Sequence, residues 1–389
     1  MRLALVHSFY DERTASGENR AVEAQSAALA RLGHEVVVIS RHTLAEREGF
    51  AYPLRSASRV AFGAGPSPLE HIRRFQPDVV HVHNLFPNIG TRWLRQCDIP
   101  IVASVHNYRL VCAAATLHRE GQTCTLCPDG QPLASLRHAC YRSSRAATLP
   151  LTIATRKPLS DNPLVVHAAR LIVPTQRVAD VLTGFGAVAK RIEVCPYIVP
   201  SPHLGASPAP REERWVAVGR LQPEKGMLDL VRSWPRGRAL DIVGDGDEFA
   251  AIAAVRHPDV RMLGQLDPKD LARRLPRHSG LVFPSRWMGN QASIVLEALA
   301  AGLPIIYLKG SSAGDSTEDS SAGFEVGEFA EHSWEAAAQA VLSAGEHARL
   351  SARRIYEERF SPPAWERRMV GIYEDVAGRG RAGGQPGSG

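Results

Sequence analysis

The segment "RWVAVGRLQPEKG", residues 214–226, decides the fold. A short apolar run leads into a loop that carries Arg220 and Lys225 and ends on Gly226, ahead of a helix-like stretch. Strand followed by crossover helix is the repeating unit of a parallel sheet. Ligands of such sheets bind outside the carboxyl ends of the strands. Two cations at that place, beside a helix N-terminus, suit a diphosphate. The plainer alternative is a pair of solvated surface charges.

The same alternation continues downstream in "ALDIVGDG" (239–246), "VRMLGQL" (260–266), "GLVFPS" (280–285) and "LPIIYL" (303–308). It also fills the first half. "LALVHSF" (3–9) precedes a helix with Val22, Gln25, Leu29 and Leu32 at helical spacing and Gly33 placed to end it. "EVVVIS" (35–40), "PDVVHVH" (77–83), "IPIVASVH" (99–106) and "ARLIVPT" (169–175) follow as strands. The expected class is therefore α/β, with two Rossmann-like domains facing across a cleft. The boundaries are residues 1–200 for the first domain, 201–213 for a Pro/Ser/Gly-rich linker and 214–362 for the second domain. Residues 363–378 form a closing helix that packs back on the first domain, and 379–389 a disordered tail.

The totals agree with that division. A chain of 389 residues exceeds one ordinary core, and 44% hydrophobic with 22% charged residues is the profile of a globular protein. No apolar run approaches the roughly 20 residues of a membrane helix. The amino terminus lacks a secretory cleavage pattern, so a cytoplasmic location is expected. The net charge of +6 is spread along the chain, and no nucleic-acid-binding motif is present; nucleic acid is not an expected partner.

Further loops carry ligand-binding chemistry. Gly244 and Gly246 let a ligand approach the backbone or simply make a turn. Gly264 marks another strand exit. In "PSRWMGNQASIVLEALAAG" (284–302) the backbone N–H groups of Asn290, Gln291, Ala292, Ser293 and Ile294 precede a helix and are placed to cradle an anion. Glu297, flanked by apolar residues, is a carboxylate that needs a partner such as a ribose diol.

Together "VAVGRLQPEKG", "IVGDGDE", "LGQL", "PSRWMGNQASIVLEALAAGLPII" and, in the first half, "SGENRAVEAQSAALARLGHEVVV" resemble glycosyltransferase family 4 in order and spacing. The resemblance spans nearly the whole chain except its tail. It implies a GT-B fold and a retaining enzyme that moves a sugar from a nucleoside-diphosphate sugar to a hydroxyl acceptor: a glycan, a lipid-linked sugar or a small natural product. By position it implies that Arg220 and Lys225 hold the diphosphate, Glu297 the ribose, and Gly264 to Leu266 border the base. Gly17 would lie against the phosphates or the reacting centre, and His106 would reach the donor sugar from the other domain. No cofactor is implied for catalysis. Peripheral contact with the inner face of a membrane is an open alternative, with residues 141–160 as the candidate patch against ordinary solvated surface.

The chain departs from the family at Gly289, where the motif usually has a Glu eight residues before the helix acid, contacting the donor hexose. Either Asn290 or Gln291 takes over that contact, with water filling the space, or turnover is weakened or lost. The second alternative would make the chain a non-catalytic nucleotide-sugar-binding or partner protein of the same fold. A nicotinamide-dependent oxidoreductase fits less well, because "HSFYDERTASGENR" lacks G-x-G-x-x-G.

Cys112, Cys124, Cys127 and Cys140 lie in one loop-rich stretch with the ligand count of a structural zinc site, for which His118 or His138 would be substitute ligands. Small buried thiols are the alternative, and the expected state of Cys97 and Cys195.

Overall fold

The computed structural model describes residues 1–10, 17–47, 51–199, 212–287, 289, 291–318 and 320–382. Most of the expected linker, the carboxyl-terminal residues 383–389 and the candidate Asn290 lie outside the described residues. The chain divides into two compact units. The first comprises Met1–His118, Cys124–Ile198 and Trp365–Gly389; the second comprises Arg119–Thr123 and Val199–Ala364.

The first unit is built on a six-stranded parallel sheet of β1 (Arg2–Phe9), β2 (Glu35–His42), β3 (Val79–Asn84), β4 (Ile101–Ser104), β7 (Ala168–Val173) and β8 (Ile192–Val194). The short strands β5 (His118–Arg119) and β6 (Gln122–Thr123) pair separately. The order β2-β1-β3-β4-β7-β8 reverses direction between β1 and β3. Side chains alternate across the sheet, and both faces are covered. Ala4, Val6, Val80, Val82, Ile101 and Ala103 belong to one core, while Leu3, Val79, Val102 and Ile172 belong to the other. Burial on both faces is why these strands read as continuous apolar runs.

The second core is closed by the helix Pro362–Ala382, with Trp365, Met369, Ile372, Tyr373 and Val376 packed among the residues of β1, β3, β4 and β7. Their spacing is one helical stripe. The helix Gly17–Arg31 buries Val22, Gln25 and Leu29 as its periodicity predicts. It stops one residue before Leu32, which is 43% exposed, so that side chain is not part of the stripe.

The second unit carries a second six-stranded parallel sheet, formed by β9 (Arg214–Val218), β10 (Ala239–Val243), β11 (Val260–Gly264), β12 (Leu281–Phe283), β13 (Ile305–Leu308) and β14 (Gly323–Val326). Its order, β11-β10-β9-β12-β13-β14, reverses between β9 and β12. Three tryptophans, Trp215, Trp234 and Trp334, are almost fully buried in its core, and each aromatic body so buried stabilises the unit by about 2–3 kcal/mol before entropy is counted. Near the amino-terminal half of the strands, Asp241 is 1% exposed and accepts hydrogen bonds from Arg214, Arg261 and His278. Among the described residues no helix is long and apolar enough to cross a membrane.

Candidate functional site

In the second unit the loops at the carboxyl edge of the sheet are bonded to one another through their backbones. After β9, the N–H of Leu221 donates to the Asp245 carbonyl at 2.9 Å, and that of Glu248 to the Leu221 carbonyl at 3.0 Å. The N–H of Gly244 donates to the Gly264 carbonyl at 2.8 Å, and that of Arg286 to the Glu224 carbonyl at 3.0 Å. The exits of β9, β10, β11 and β12 thus form one frame at the point where the strand order reverses, the usual binding position of such a sheet.

Two glycines are required by that frame. Gly244 has φ 143°, and a Cβ there would run into the carbonyl oxygen of Gly219. Gly226 has φ 68°, and a Cβ there would strike the Pro284 carbonyl. Gly244 was expected against the donor; the structure gives it a different first duty, close contact with the neighbouring loop. Gly264 and Leu266 lie where β11 leaves the sheet, both partly exposed.

Arg220 and Lys225 occupy unlike surroundings. The Arg220 side chain is 69% exposed and reaches Glu224 at 3.6 Å. Lys225 is largely enclosed, with Nζ 4.6 Å from the centroid of the Trp287 ring. Burial, and then the nearby Arg220 charge, lower its pKa to about 8, against an opposing effect of Glu224. Arg286 pairs with Asp229 at 2.9 Å and lies over the Phe329 ring. The helix Ser293–Ala300 begins after Ala292, with Gln291, Ile294 and Glu297 partly buried and Ser293 exposed. Gly289 is buried: a Cβ built on it would lie 2.9 Å from two atoms of the Trp287 ring. The space of the acid expected at 289 is filled by an indole.

In the first unit the polar side chains gather at the exits of β3 and β4, beside the Gly17–Arg31 helix. Gly17 is exposed, and a Cβ there would meet nothing within 4 Å. The next residue, Glu18, accepts hydrogen bonds from the side-chain amides of Asn84 (3.2 Å) and Asn107. His106 was expected to reach a donor sugar. Here both its ring nitrogens are engaged inside the unit, Nε2 with His83 Nδ1 at 3.0 Å and Nδ1 with the Tyr197 hydroxyl at 3.2 Å. His83 stacks in turn on His81, ring centroids 4.1 Å apart. His81 is bonded to Tyr373 at 2.6 Å and to Ser104 at 2.8 Å. Burial lowers the pKa of His7 and of His106 to about 4 and that of His81 to about 3, and holds His83 well below the usual range. These imidazoles are neutral at pH 7. Among the described residues, His83 Nε2 and His7 Nδ1 are buried without a hydrogen-bond partner.

The cysteine-rich stretch is a chain of tight turns. Four of the eight described non-glycine residues with positive φ fall within it, Ala115, Leu117, Glu120 and Ala139, and two more, Arg142 and Ser143, follow directly after it. None of these four cysteines is in a disulfide, and all are partly buried. Burial raises the Cys127 pKa, and the neighbouring Cys112 and Cys124 raise it further. Among the described residues, however, no three His, Cys, Asp or Glu side chains are grouped to hold a metal ion. The donor set expected of Cys112, Cys124, Cys127 and Cys140 is therefore not assembled in this structure. Of the remaining two thiols, Cys195 is buried, its pKa raised to about 12 by that burial, while Cys97 is only partly buried.

The sequence patterns gave no role to Trp287, Glu18, His83 or Arg109. His81 and His83 carry a readable signal, because two histidines at i and i+2 in an apolar strand share one face.

Comparisons with known proteins agree with this architecture. Residues 15–200 match the family model described as Glycosyltransferase Family 4, and residues 212–345 the model described as Glycosyl transferases group 1. A glycogen synthase of Mycobacterium tuberculosis is 25% identical over 352 residues, covering 79% of this chain and 77% of that protein. Sucrose-phosphate synthase from Thermosynechococcus elongatus superposes with a TM-score of 0.64 at 15% identity, covering 97% of this chain and 99% of that one. Anabaena HepE in complex with UDP gives 0.59 at 14% identity, over 96% and 100%. The chain is a glycosyltransferase with a GT-B fold, and its first half is similar to family 4.

Proposed function

We propose that this glycosyltransferase takes its sugar from a nucleoside-diphosphate donor and transfers it, with retention, to a hydroxyl acceptor. The observation that carries the reading is Lys225, a cation enclosed beside Trp287 at the carboxyl edge of the second sheet, with Arg220 in the same loop. An enclosed ammonium with no ion pair within 4 Å among the described residues, and only a weaker effect of Glu224, is poised for an anion. Arg220 and Lys225 would hold the diphosphate. Glu297 would hold the ribose, the Gly264–Leu266 loop would border the base, and Gln291 to Ile294 would offer N–H groups. The curated relative is a glycogen synthase and one structural neighbour was solved with UDP, which supports a nucleotide-sugar donor.

In this reaction the bond between the anomeric carbon and the diphosphate oxygen breaks as the acceptor oxygen bonds to the same face of that carbon. The acceptor proton passes to the departing diphosphate. No protein nucleophile is needed, and catalysis rests on positioning and on stabilising the charge of the leaving group. Arg220 and Lys225 would serve the second task. Gly289 favours one competing reading, a chain that binds nucleotide sugars without transferring them, because the acid usual at that position is replaced by indole-filled space.

Nucleotide release from UDP-, GDP- and ADP-sugars, with binding recorded in parallel, separates the two. Release that is slowed at least tenfold in Lys225→Ala and in Glu297→Ala is the expected result. Tight binding with no release in the presence of acceptor extracts would instead establish the non-catalytic reading.

A further inference from the structure

The helix Tyr52–Phe62, in the first unit, is folded with its polarity inverted. It buries Arg59, which pairs with Glu46 at 2.8 Å, while Leu54 and Phe62 stand 77% and 61% exposed. A surface helix ordinarily turns its apolar residues inward and its charges outward. The helix packed against it, Arg145–Thr155, exposes Leu149 together with Arg145. Ahead of that second helix Leu133 is 65% exposed. Its segment is fastened to the helix by Ser135 Oγ with Thr152 Oγ1 at 2.8 Å and by the Tyr141 N–H, which donates to Thr148 Oγ1 at 3.0 Å. Leu54, Leu133 and Phe62 are three of the four most exposed large apolar side chains among the described residues. Apolar side chains held outward on packed elements mark an interaction surface.

Charge says what that surface meets. Residues 49–69 and 130–160 contain no Asp or Glu, in a chain with 40 acids among 389 residues, yet they carry seven cations. Arg59 is taken up by its buried pair. The other six, Arg55, Arg137, Arg142, Arg145, Arg156 and Lys157, are exposed, and none forms an ion pair among the described residues. Phe62, at the end of the first helix, lines the same cavity as Arg156 and Lys157, which follow the second. Apolar and cationic side chains therefore share one part of the surface.

We infer that this two-helix face docks on an anionic lipid surface. Leu54, Phe62, Leu133 and Leu149 enter the headgroup layer, and the six cations meet lipid phosphates. Long Arg and Lys side chains keep their charge at headgroup level while an apolar neighbour goes deeper. Apolar anchors set singly among unpaired cations suit a fluid bilayer, whose lipids move to meet each one. A protein partner is held instead by anchors gathered at the centre of a patch, and a soluble polyanion gains nothing from exposed leucines. No described helix is long and apolar enough to cross a membrane, so the contact is one of lying on the surface. The inference does not depend on the donor reading.

Cosedimentation with vesicles tests it, with no nucleotide sugar present, so its failure leaves the donor reading untouched. The native protein should bind vesicles of phosphatidylcholine and phosphatidylglycerol, mixed at about 7:3, at least about tenfold more tightly than vesicles of phosphatidylcholine alone. Removing three cations of the face together, by Arg145→Ala, Arg156→Ala and Lys157→Ala, should cost about tenfold or more on the mixed vesicles. Lys269→Ala, Arg274→Ala and Arg277→Ala, which remove the same charge from the second unit, should change binding by less than about twofold. Leu54→Asp with Phe62→Asp should also cost about tenfold or more. Because both aspartates alter charge and could disturb the helix, Phe62→Trp supplies a second readout: its added fluorescence should be quenched by brominated lipid in the mixed vesicles. Binding to neither vesicle, equal losses from the two triple variants, or no quenching at position 62 would each overturn the inference.

Discussion

Trp287 links Lys225 to Gly289. Its ring centroid lies 4.6 Å from Lys225 Nζ, and the same ring lies 2.9 Å from where a Cβ on Gly289 would stand. Glycine at 289 and tryptophan at 287 are therefore one arrangement: the indole takes the space of a side chain at 289 and puts its π-face against the Lys225 ammonium. A cation–π contact in a desolvated site is worth about 2 kcal/mol. Gly289→Glu must push the indole away, so it should lower nucleotide-sugar affinity about tenfold instead of restoring a lost contact. In a Trp287→Ala background the same acid has room, and the two substitutions should be non-additive by about 1 kcal/mol or more in a double-mutant cycle read by calorimetry. A gain of affinity from Gly289→Glu alone would show that the indole does not constrain the loop.

On the proposed reading, in which Lys225 holds the donor diphosphate, its lowered pKa makes donor binding depend on pH. The ammonium is the binding form, and it is half lost at about pH 8 in the ligand-free protein. Affinity for a nucleoside diphosphate should be level below pH 7 and fall with rising pH, approaching about tenfold per unit well above pH 8, since one proton is linked to binding. Lys225→Arg keeps its charge throughout and should remove this limb, at some cost in fit. The same limb in the arginine variant would assign it to another group.

The parts of the fold that could be read from sequence are those buried on both sides. Strands such as Ile305–Leu308 and Leu281–Phe283 are covered on both faces and leave an unbroken apolar signal. Ile192–Val194 and Gly323–Val326 escaped because they are short and lie at the sheet edges, where partial exposure dilutes that signal. The loop cations were visible as residue types at a strand exit. What surrounds them was not, since Trp287 is 62 residues from Lys225 and nothing local couples them. The absence of an acid at 289 was legible; the indole that fills its place is a tertiary fact. For His106 the sequence indicated a strand exit and missed the second histidine, His83, that occupies one of its nitrogens.

The imidazoles of the first unit predict acid sensitivity. In the unfolded chain each titrates near 6.5, while in the fold His7 and His106 titrate at about 4 and His81 at about 3. The unfolded state therefore binds more protons between those values, and stability is full above about 6.5 and lost as pH falls toward 4. Thermal midpoints of the native protein should drop steadily across that window, before most carboxylates titrate. A flat profile from pH 7 to 5 would mean that these histidines are hydrated and free to charge.

Asp241 supplies the opposite kind of test, one of stability without a ligand. Burial alone would raise its pKa, but hydrogen bonds from His278, Arg261 and Arg214 outweigh it and hold the carboxyl well below the usual range. That stabilisation is present above the unfolded value near 3.9 and is lost as pH falls below it. Asp241→Asn leaves Arg214 and Arg261 facing each other across a buried amide and should cost about 3 kcal/mol, the lower end of what breaking a buried pair costs. The Arg261 side chain is 51% exposed, so water rehydrates it once the carboxylate is gone. Arg261→Gln should therefore cost about 1 kcal/mol or less, because Arg214 at 2.8 Å and His278 at 3.3 Å still satisfy the acid. Urea unfolding of the two variants should give that asymmetry. Equal losses would show that the carboxylate is held by Arg261 alone and that the other two contacts carry no energy.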